Sequence, residues 1–304
     1  MSGPPRVVFG LPAYGRPDVL GRTLESLLGQ TFTDLAIVVV DDRPSPEVRA
    51  VVESYQSRDG RLTYEANAAR LGMIGNWRRA FDAGRARCPG AEFFAWASDH
   101  DVWHPRWAEA LVAALDEAPN AVMAYPRSLR MHPHDRRRVE GRFETAGLAA
   151  AGRRLRAAIH GLTAGNAIYG LFRADALARA GVFRRVLMPD RQILLALSLL
   201  GEFRQVPDYL WYREVSPAFS PERQRPTLFA GRAPVHTYLP LDVQHAGSLF
   251  WQFAVAGRGG AAVRRLSGLW YTALFLGASA QRWVTPPPRV RRARRAADTA
   301  AGRA

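Results

Sequence analysis

Two carboxylates and an imidazole stand within three residues at Asp99-His100-Asp101. Hard divalent cations prefer carboxylate oxygens, Mg2+ takes one or two of them beside substrate phosphates, and imidazole suits Mn2+ as well. The run therefore reads as a metal site beneath a diphosphate, or else as an N-cap for the helix that starts near Pro105. Asp41-Asp42 forms a second acidic pair. One of its carboxylates could accept from a base imide or a ribose hydroxyl, or simply close a turn. Asp190 follows Met188-Pro189 and precedes an apolar run. It could cap a helix over Gln192–Leu200, or face a cleft as a general base.

The elements that must carry these residues alternate. Arg6–Leu11 reads as a buried strand, and Asp18–Gln30 has leucines at helical spacing (Leu20, Leu24, Leu27, Leu28). Leu35–Val40 is apolar without alternation, as in a strand covered on both faces, and it ends at Asp41-Asp42. Glu47–Ser57 is a helix, Arg61–Glu65 a strand, Leu71–Ala86 a helix and Glu92–Ala97 a strand ending at the Asp99 cluster. Trp107–Glu117 (helix) and Ala121–Tyr125 (strand) complete the pattern. This is the signature of a doubly wound, mostly parallel α/β sheet. In such sheets ligands bind beyond the carboxyl ends of the strands. Pro12-Ala13-Tyr14, Asp41-Asp42 and Asp99-His100-Asp101 all fall there.

The later chain is less regular. Residues 127–158 read as an Arg-rich loop followed by helix, Ala174–Ala180 and Gln192–Leu200 as helices, and Arg204–Tyr212 as a last strand. Five prolines between Pro217 and Pro240 suggest a linker. Helical stretches follow near 241–256 and 260–284, then an Arg-rich tail expected to be disordered.

Composition bounds the function. The 304 residues are 48% hydrophobic, which suits a large folded core. A single cysteine, Cys88, excludes a disulfide framework and a Cys-based zinc cluster within one chain. All 42 basic residues are arginine, the mark of a GC-rich coding sequence, and the net charge is +15. The excess sits in two patches: residues 127–156 with nine Arg and three acids, and 282–304 with seven Arg and one Asp. No GxGxxG, P-loop, GxSxG or HExxH motif is present, nor any standard nucleic-acid module. The N-terminus has no charged segment leading into a long apolar one, so a cytoplasmic location is expected.

Taken in order, the motifs resemble the family 2 glycosyltransferases of the GT-A fold. They are Leu11-Pro12-Ala13-Tyr14-Gly15-Arg16-Pro17, then Leu24-Glu25-Ser26-Leu27-Leu28-Gly29-Gln30-Thr31-Phe32, then Ile37-Val38-Val39-Val40-Asp41-Asp42. Asn67, Leu71-Gly72 and Asn76 follow, and the series ends at Phe93-Phe94-Ala95-Trp96-Ala97-Ser98-Asp99-His100-Asp101 with Pro105. The likeness is good to about residue 125 and looser to about 215, where Asp190 and Trp211-Tyr212-Arg213 fit the plan.

The resemblance implies a GT-A (Rossmann-like) catalytic domain over 1–215, its donor-nucleotide half 1–125 and its acceptor half 126–215. A linker and helical extension would follow over 216–285, and a basic tail over 286–304. It implies transfer of a hexose from a nucleotide sugar, a UDP-sugar by preference, to an acceptor hydroxyl. Tyr14 and Asp42 would hold base and ribose, Pro12 and Ala13 would shape that pocket, Arg70 would reach base or phosphates, and Asn76 and Asp99 would complete the donor site. Asp99, His100 and Asp101 would hold Mn2+ or Mg2+, and Asp190 would be the base of an inverting reaction. The family usually has Asp where this chain has His100. Either His100 is a ligand, or Asp101 shifts in, or metal dependence weakens, and retention of the metal is the expectation. Asn166 and Tyr169 are acceptor-side candidates, although Tyr169 could equally be core.

Other readings differ in class. The Arg patches could bind nucleic acid, with or without catalysis, or serve a polyanionic acceptor such as hydroxymethylated DNA. Leu266–Gln281, uncharged between Arg264-Arg265 and Arg282, is too short to span a bilayer but suits an interfacial helix, or equally a helix packed on the catalytic domain with a solvated basic tail. A membrane-lipid-linked acceptor and peripheral contact through 264–304 would follow. A nucleotidyltransferase would want a Gly-rich phosphate loop after the first strand, and the sequence has none there.

Overall fold

A computed structural model describes residues 3–131, 138–139, 143–162, 165–214, 220–260 and 263–284. The tail expected over 286–304 and part of the 127–156 patch lie outside these residues.

The described residues form one nine-stranded sheet. Its strands are β1 (Val7–Ala13), β2 (Leu35–Asp41), β3 (Leu62–Ala66), β4 (Phe93–Trp96), β5 (Val102–Trp103), β6 (Ala121–Met131), β7 (Arg138–Val139), β8 (Leu171–Arg173) and β9 (Glu202–Glu214). The order is β3-β2-β1-β4-β8-β6-β9-β5, with β7 beside β6. β3, β2, β1 and β4 are mutually parallel, β8 runs antiparallel between β4 and β6, and β6 and β9 are parallel. The mostly parallel α/β sheet expected from the alternating elements is present.

Helices cover both faces: α1 (Pro17–Leu28), α2 (Pro46–Gln56), α3 (Gly72–Arg87), α4 (Trp107–Asp116), α5 (Ala151–Gly161), α6 (Ala174–Arg179), α7 (Pro189–Leu200), α8 (Pro221–Leu228), α9 (Leu241–Leu249) and α10 (Arg265–Val284). Side chains alternate across a strand, so one strand feeds two cores. Val7, Phe9 and Leu11 of β1 join Ile37 and Val39 beneath Leu20, Leu24 and Leu111. Val8, Val38 and Val40 point the other way, with Trp77, Phe94 and Trp96. This two-sided burial is why Leu35–Val40 shows no polar alternation.

Three stretches differ from the sequence expectation. β6 runs on to Met131 and β9 spans Glu202–Glu214, each longer than expected. Their prolines do not break the pair, because the register shifts at Pro126/Arg127 and a bulge absorbs the lost donors. α7 begins at Pro189, a good first helical residue, with Met188 left-handed before it (φ 46°). Asp190 therefore lies inside the first turn, and the cap position belongs to Met188. The proline-rich stretch read as a linker holds α8 and a 3-10 turn at Val235–Tyr238. Leu228 and Phe229 are buried in the same core as α3 and α7.

Candidate functional site

The carboxyl ends of β2, β1 and β4 lie side by side, since Ala13 pairs with Asp41 and Gly10 with Trp96. The three polar clusters thus converge on one edge of the sheet. Ala13 is buried, and its carbonyl accepts from the Asp42 N–H at 3.0 Å. The Tyr14 N–H donates to Asp99 Oδ2 at 2.9 Å, which joins the ends of β1 and β4. The Tyr14 ring is 44% exposed. The Arg43 and Arg70 guanidiniums stand 5.9 and 5.4 Å from its centre, attracted by the ring face. A flat aromatic edged by two cations is a platform for a base or a phosphate.

Asp42 is buried and heavily engaged. Its Oδ1 accepts from Leu71 N (2.6 Å) and Asn67 Nδ2 (2.9 Å), and its Oδ2 from Gly72 N (2.9 Å). It holds the start of α3 against β2. Gly72 is required there: its φ is +75°, and a Cβ would come within 2.6 Å of Ala230 N. Asn76 is also buried, with Nδ2 donating to Val40 O and Ala13 O and Oδ1 accepting from Asn67. It ties the strand ends together beneath the pocket. Asp41, fully buried, accepts from Arg43 N and the Tyr64 hydroxyl. Burial and that bond push the Tyr64 hydroxyl up to about 12.

In the Asp99 cluster, the backbone is pinned by α1. Thr23 Oγ1 donates to Asp101 O and Arg22 to His100 O. His100 Nδ1 lies 2.8 Å from Asp99 Oδ1, and its Nε2 lies 4.0 Å from Asp101 Oδ1. Burial disfavours a charged ring, but the bond to Asp99 and the two carboxylate fields outweigh it and raise the His100 pKa. Asp101 accepts from the Trp211 indole at 3.1 Å (Oδ2) and from Glu214 N at 2.8 Å (Oδ1). Burial raises its carboxyl against those bonds. Among the described residues, no three His, Cys, Asp or Glu side chains form a cation cage. The run still offers two carboxylates and an imidazole, the donor chemistry of an open Mn2+ or Mg2+ site that substrate oxygens complete.

Asp190 reaches the same place from the other half of the chain. It lines a pocket of about 190 Å³ with His100, Asp101, Tyr169, Arg213 and Gln224. Burial pushes its carboxyl above the ordinary range, against hydrogen bonds from the first turn of α7 that pull it down. Tyr169 is both core and lining: its ring packs on Trp211 at 4.7 Å and meets Trp77 at 5.6 Å, and its hydroxyl is pushed up by burial. Asn166 lies in the 3-10 turn Gly165–Tyr169, and its side chain is outside the described residues.

Sequence reasoning named Trp211 but missed its contact to Asp101, and it missed several other contributors. Trp211 and Glu214 reach Asp101 because β5 pairs antiparallel with Trp211-Tyr212. Arg16 bonds Glu214 at 2.9 Å and closes the rim. Gln224 of α8 lines the pocket, and its Oε1 accepts from Met188 N just before α7. Glu214 adjoins the recognised Trp211-Tyr212-Arg213, so that strand end was the available signal. Nothing local pointed to Gln224.

The mostly parallel sheet with its inserted antiparallel strand agrees with the GT-A fold that the motifs resemble. A sequence model described as glycosyl transferase family 2 matches residues 9–173, more than half of the chain, and the chain belongs to that family. It is similar to the GalNAc(5)-diNAcBac-PP-undecaprenol beta-1,3-glucosyltransferase of Campylobacter jejuni, 30% identical over 98 residues (32% of this chain, 30% of that one). Protein CgeD of Bacillus subtilis is 24% identical over 140 residues, covering 43% of this chain and 31% of that one. The chain thus spans about a third of the length of these curated relatives. In structure it resembles S. aureus TarS 1-349 in complex with UDP-GlcNAc, with a TM-score of 0.62, 14% identity, and 90% and 72% of the two chains covered. The mannosyltransferase PcManGT of Pyrobaculum calidifontis, in complex with GDP-Man and Mn2+, gives a TM-score of 0.51 at 18% identity, covering 99% and 81%.

Proposed function

We propose that the chain transfers a sugar, a hexose, from a nucleotide-sugar donor to an acceptor hydroxyl with inversion, using Asp190 as general base. The observation that carries this reading is the shared pocket, in which Asp190 lies with His100 and Asp101. Tyr14 would stack on the base between Arg43 and Arg70, and Asp42 would fix the loop that frames the ribose. Asp99, His100 and Asp101 would hold Mn2+ or Mg2+. When bound, the ion supplies positive charge for the departing diphosphate.

The chain's own residues account for the rest. Asp190 accepts the acceptor hydroxyl's proton as that oxygen attacks the anomeric carbon opposite the diphosphate, and this inverts the centre. A carboxyl raised by burial remains a better proton acceptor than an exposed one. Tyr169 and Trp211 wall the pocket and limit water. Arg213 puts positive charge on the acceptor side, which supports an acceptor carried on an anionic scaffold. UDP-GlcNAc and GDP-Man in the structural neighbours support a nucleotide-sugar donor, with a UDP-sugar the first choice.

A thermal-shift panel of UDP, GDP, dTDP and CMP with Mn2+ or Mg2+ tests the donor half. A nucleotide at a hundred times its dissociation constant adds about 2.7 kcal/mol. One nucleotide should shift the wild type strongly with Mn2+ and weakly with EDTA, and Asp99→Ala should remove that metal response. No shift with any nucleotide sinks the reading.

A further inference from the structure

α3 and α8 divide the reaction pocket from a second, larger one of about 950 Å³. Met73, Trp77 and Gln224 face the first, whereas Ile74, Arg78 and Leu228 face the second. Five arginines line it, Arg70, Arg78, Arg184, Arg185 and Arg232, and no Asp or Glu does. Among the described residues none of the five makes an ion pair with a carboxylate. The scaffold aims several of them. Arg78 donates to Phe183 O at 2.7 Å, Arg70 to Pro226 O at 3.2 Å, and Arg185 lies over the Phe229 ring at 5.6 Å. Arg184 is partly buried, and burial together with the charges of Arg258 and Arg78 lowers its pKa. Like charges crowded without a counter-acid favour an anionic guest, and guanidinium forks match phosphate oxygens.

The lip of this pocket is apolar and wet. Leu239, Val243 and Trp251 line it, and Trp251 is 53% exposed. The same face continues onto α10, which crosses Phe250–Val255 at Gly268, where a Cβ would meet Ala254 N at 2.6 Å. Leu266, Leu269 and Trp270 of α10 are exposed, and Trp270 is 64% so. Between Val243 and Val284 the sequence has no acidic residue, while Arg258, Arg264 and Arg265 stand there. No helix among the described residues is long and apolar enough to cross a membrane. Exposed tryptophan and leucine beside arginine suit the boundary of an anionic bilayer.

We infer that this face docks on an anionic lipid surface, with a lipid phosphate headgroup seated in the arginine pocket between α3, α8 and α9. The occupant follows from charge complementarity: a pocket of cations with no acid, opening through apolar side chains, fits a phosphate joined to a hydrocarbon tail. Of the five arginines only Arg70 also stands at the Tyr14 platform, and Asp190 lies outside this pocket, so failure of this binding leaves the Asp190 chemistry standing.

Co-sedimentation of the full chain with vesicles tests it. The wild type should pellet with phosphatidylcholine vesicles containing phosphatidylglycerol and stay in solution with phosphatidylcholine alone. Arg185 and Arg232 are exposed, so an Arg185→Ser/Arg232→Ser double variant should fold and keep donor hydrolysis, yet lose affinity on the order of tenfold or more. Soluble pyrophosphate should displace the wild type by competing for the guanidiniums. Trp251→Ser should weaken pelleting and reduce the tryptophan blue shift on vesicle addition. Equal pelleting of wild type and double variant would overturn the inference. So would indifference to pyrophosphate, or arginine-dependent retention of duplex DNA or self-association without vesicle binding.

Discussion

Asp190 sits where two opposing influences meet. The N-terminus of α7 favours its charged form, burial disfavours it, and burial wins. In its proposed role as general base it would work only when ionised, so the rate should fall as pH drops through its pKa. Since that pKa lies above the ordinary carboxylate range, the acid limb of the kcat profile should appear at higher pH than an exposed Asp would give. Asp190→Asn should bind nucleotide normally while transfer falls by about 10²–10⁴-fold, the usual worth of a positioned base. Isothermal titration and product assays separate the two effects. Unchanged turnover, or an unchanged acid limb, assigns the base elsewhere. Asp101 differs in kind: Trp211 and Glu214 occupy its oxygens, so its first effect is to join β9 to the diacidic turn.

At the scale of elements, α9 supports α7 from behind. Gln244 Oε1 accepts from Leu187 N, and buried His245 donates from Nε2 to Leu187 O at 2.8 Å, next to the left-handed Met188 that starts α7. Burial pushes His245 down to about 4, so the folded protein holds it neutral. A depressed pKa stabilises above the unfolded value, about 6.5, and that stability is lost as pH falls toward 4. Lowering pH from 7 to 5 should cost about 2 kcal/mol through this group. His245→Gln should flatten the dependence of Tm on pH in that window. A parallel slope in both proteins would mean that other groups control it.

Legibility followed locality. Leu35–Val40 and Asp99–Asp101 carry their meaning in adjacent residues, so β2 and the diacidic turn could be read directly. The Trp211 and Glu214 contacts depend on β5 pairing with β9, a strand more than 100 residues later in the chain. No local pattern records that. Gln224 stood in a proline-rich stretch whose turn chemistry hid a helix anchored by Leu228. Asp42 and Asn76 could be read as site residues, but not as residues whose polar atoms hold the loop and strand ends in place.

For the whole molecule, charge and chemistry are separated. The pocket of Asp190 mixes acids with cations, whereas the second pocket and the stretch from Val243 to Val284 have no acid. Residues 282–304 add seven arginines against one aspartate to that end of the chain. Removing 286–304 should therefore weaken binding to anionic vesicles and flatten its dependence on salt, while hydrolysis of the donor stays the same. Identical pelleting of full-length and truncated chains at every salt concentration would show the tail to be inert. The acidic turn and Asp190 sit on segments that share one core with α9 and α10, so the proposed docking at that end would hold the pocket at a fixed height above the surface.

The bond from Trp211 to Asp101 also sets a schedule. Asp101 is made 110 residues before its indole partner. At a synthesis rate of roughly 5–20 residues per second, the carboxylate waits several seconds to tens of seconds for the strand that orients it. Through that interval a nascent chain can already hold the Tyr14 platform and the Asp42 loop, yet lacks β9 and one wall of the pocket. Under the proposed function, transfer would therefore wait until β9 lies down against β6 and β5.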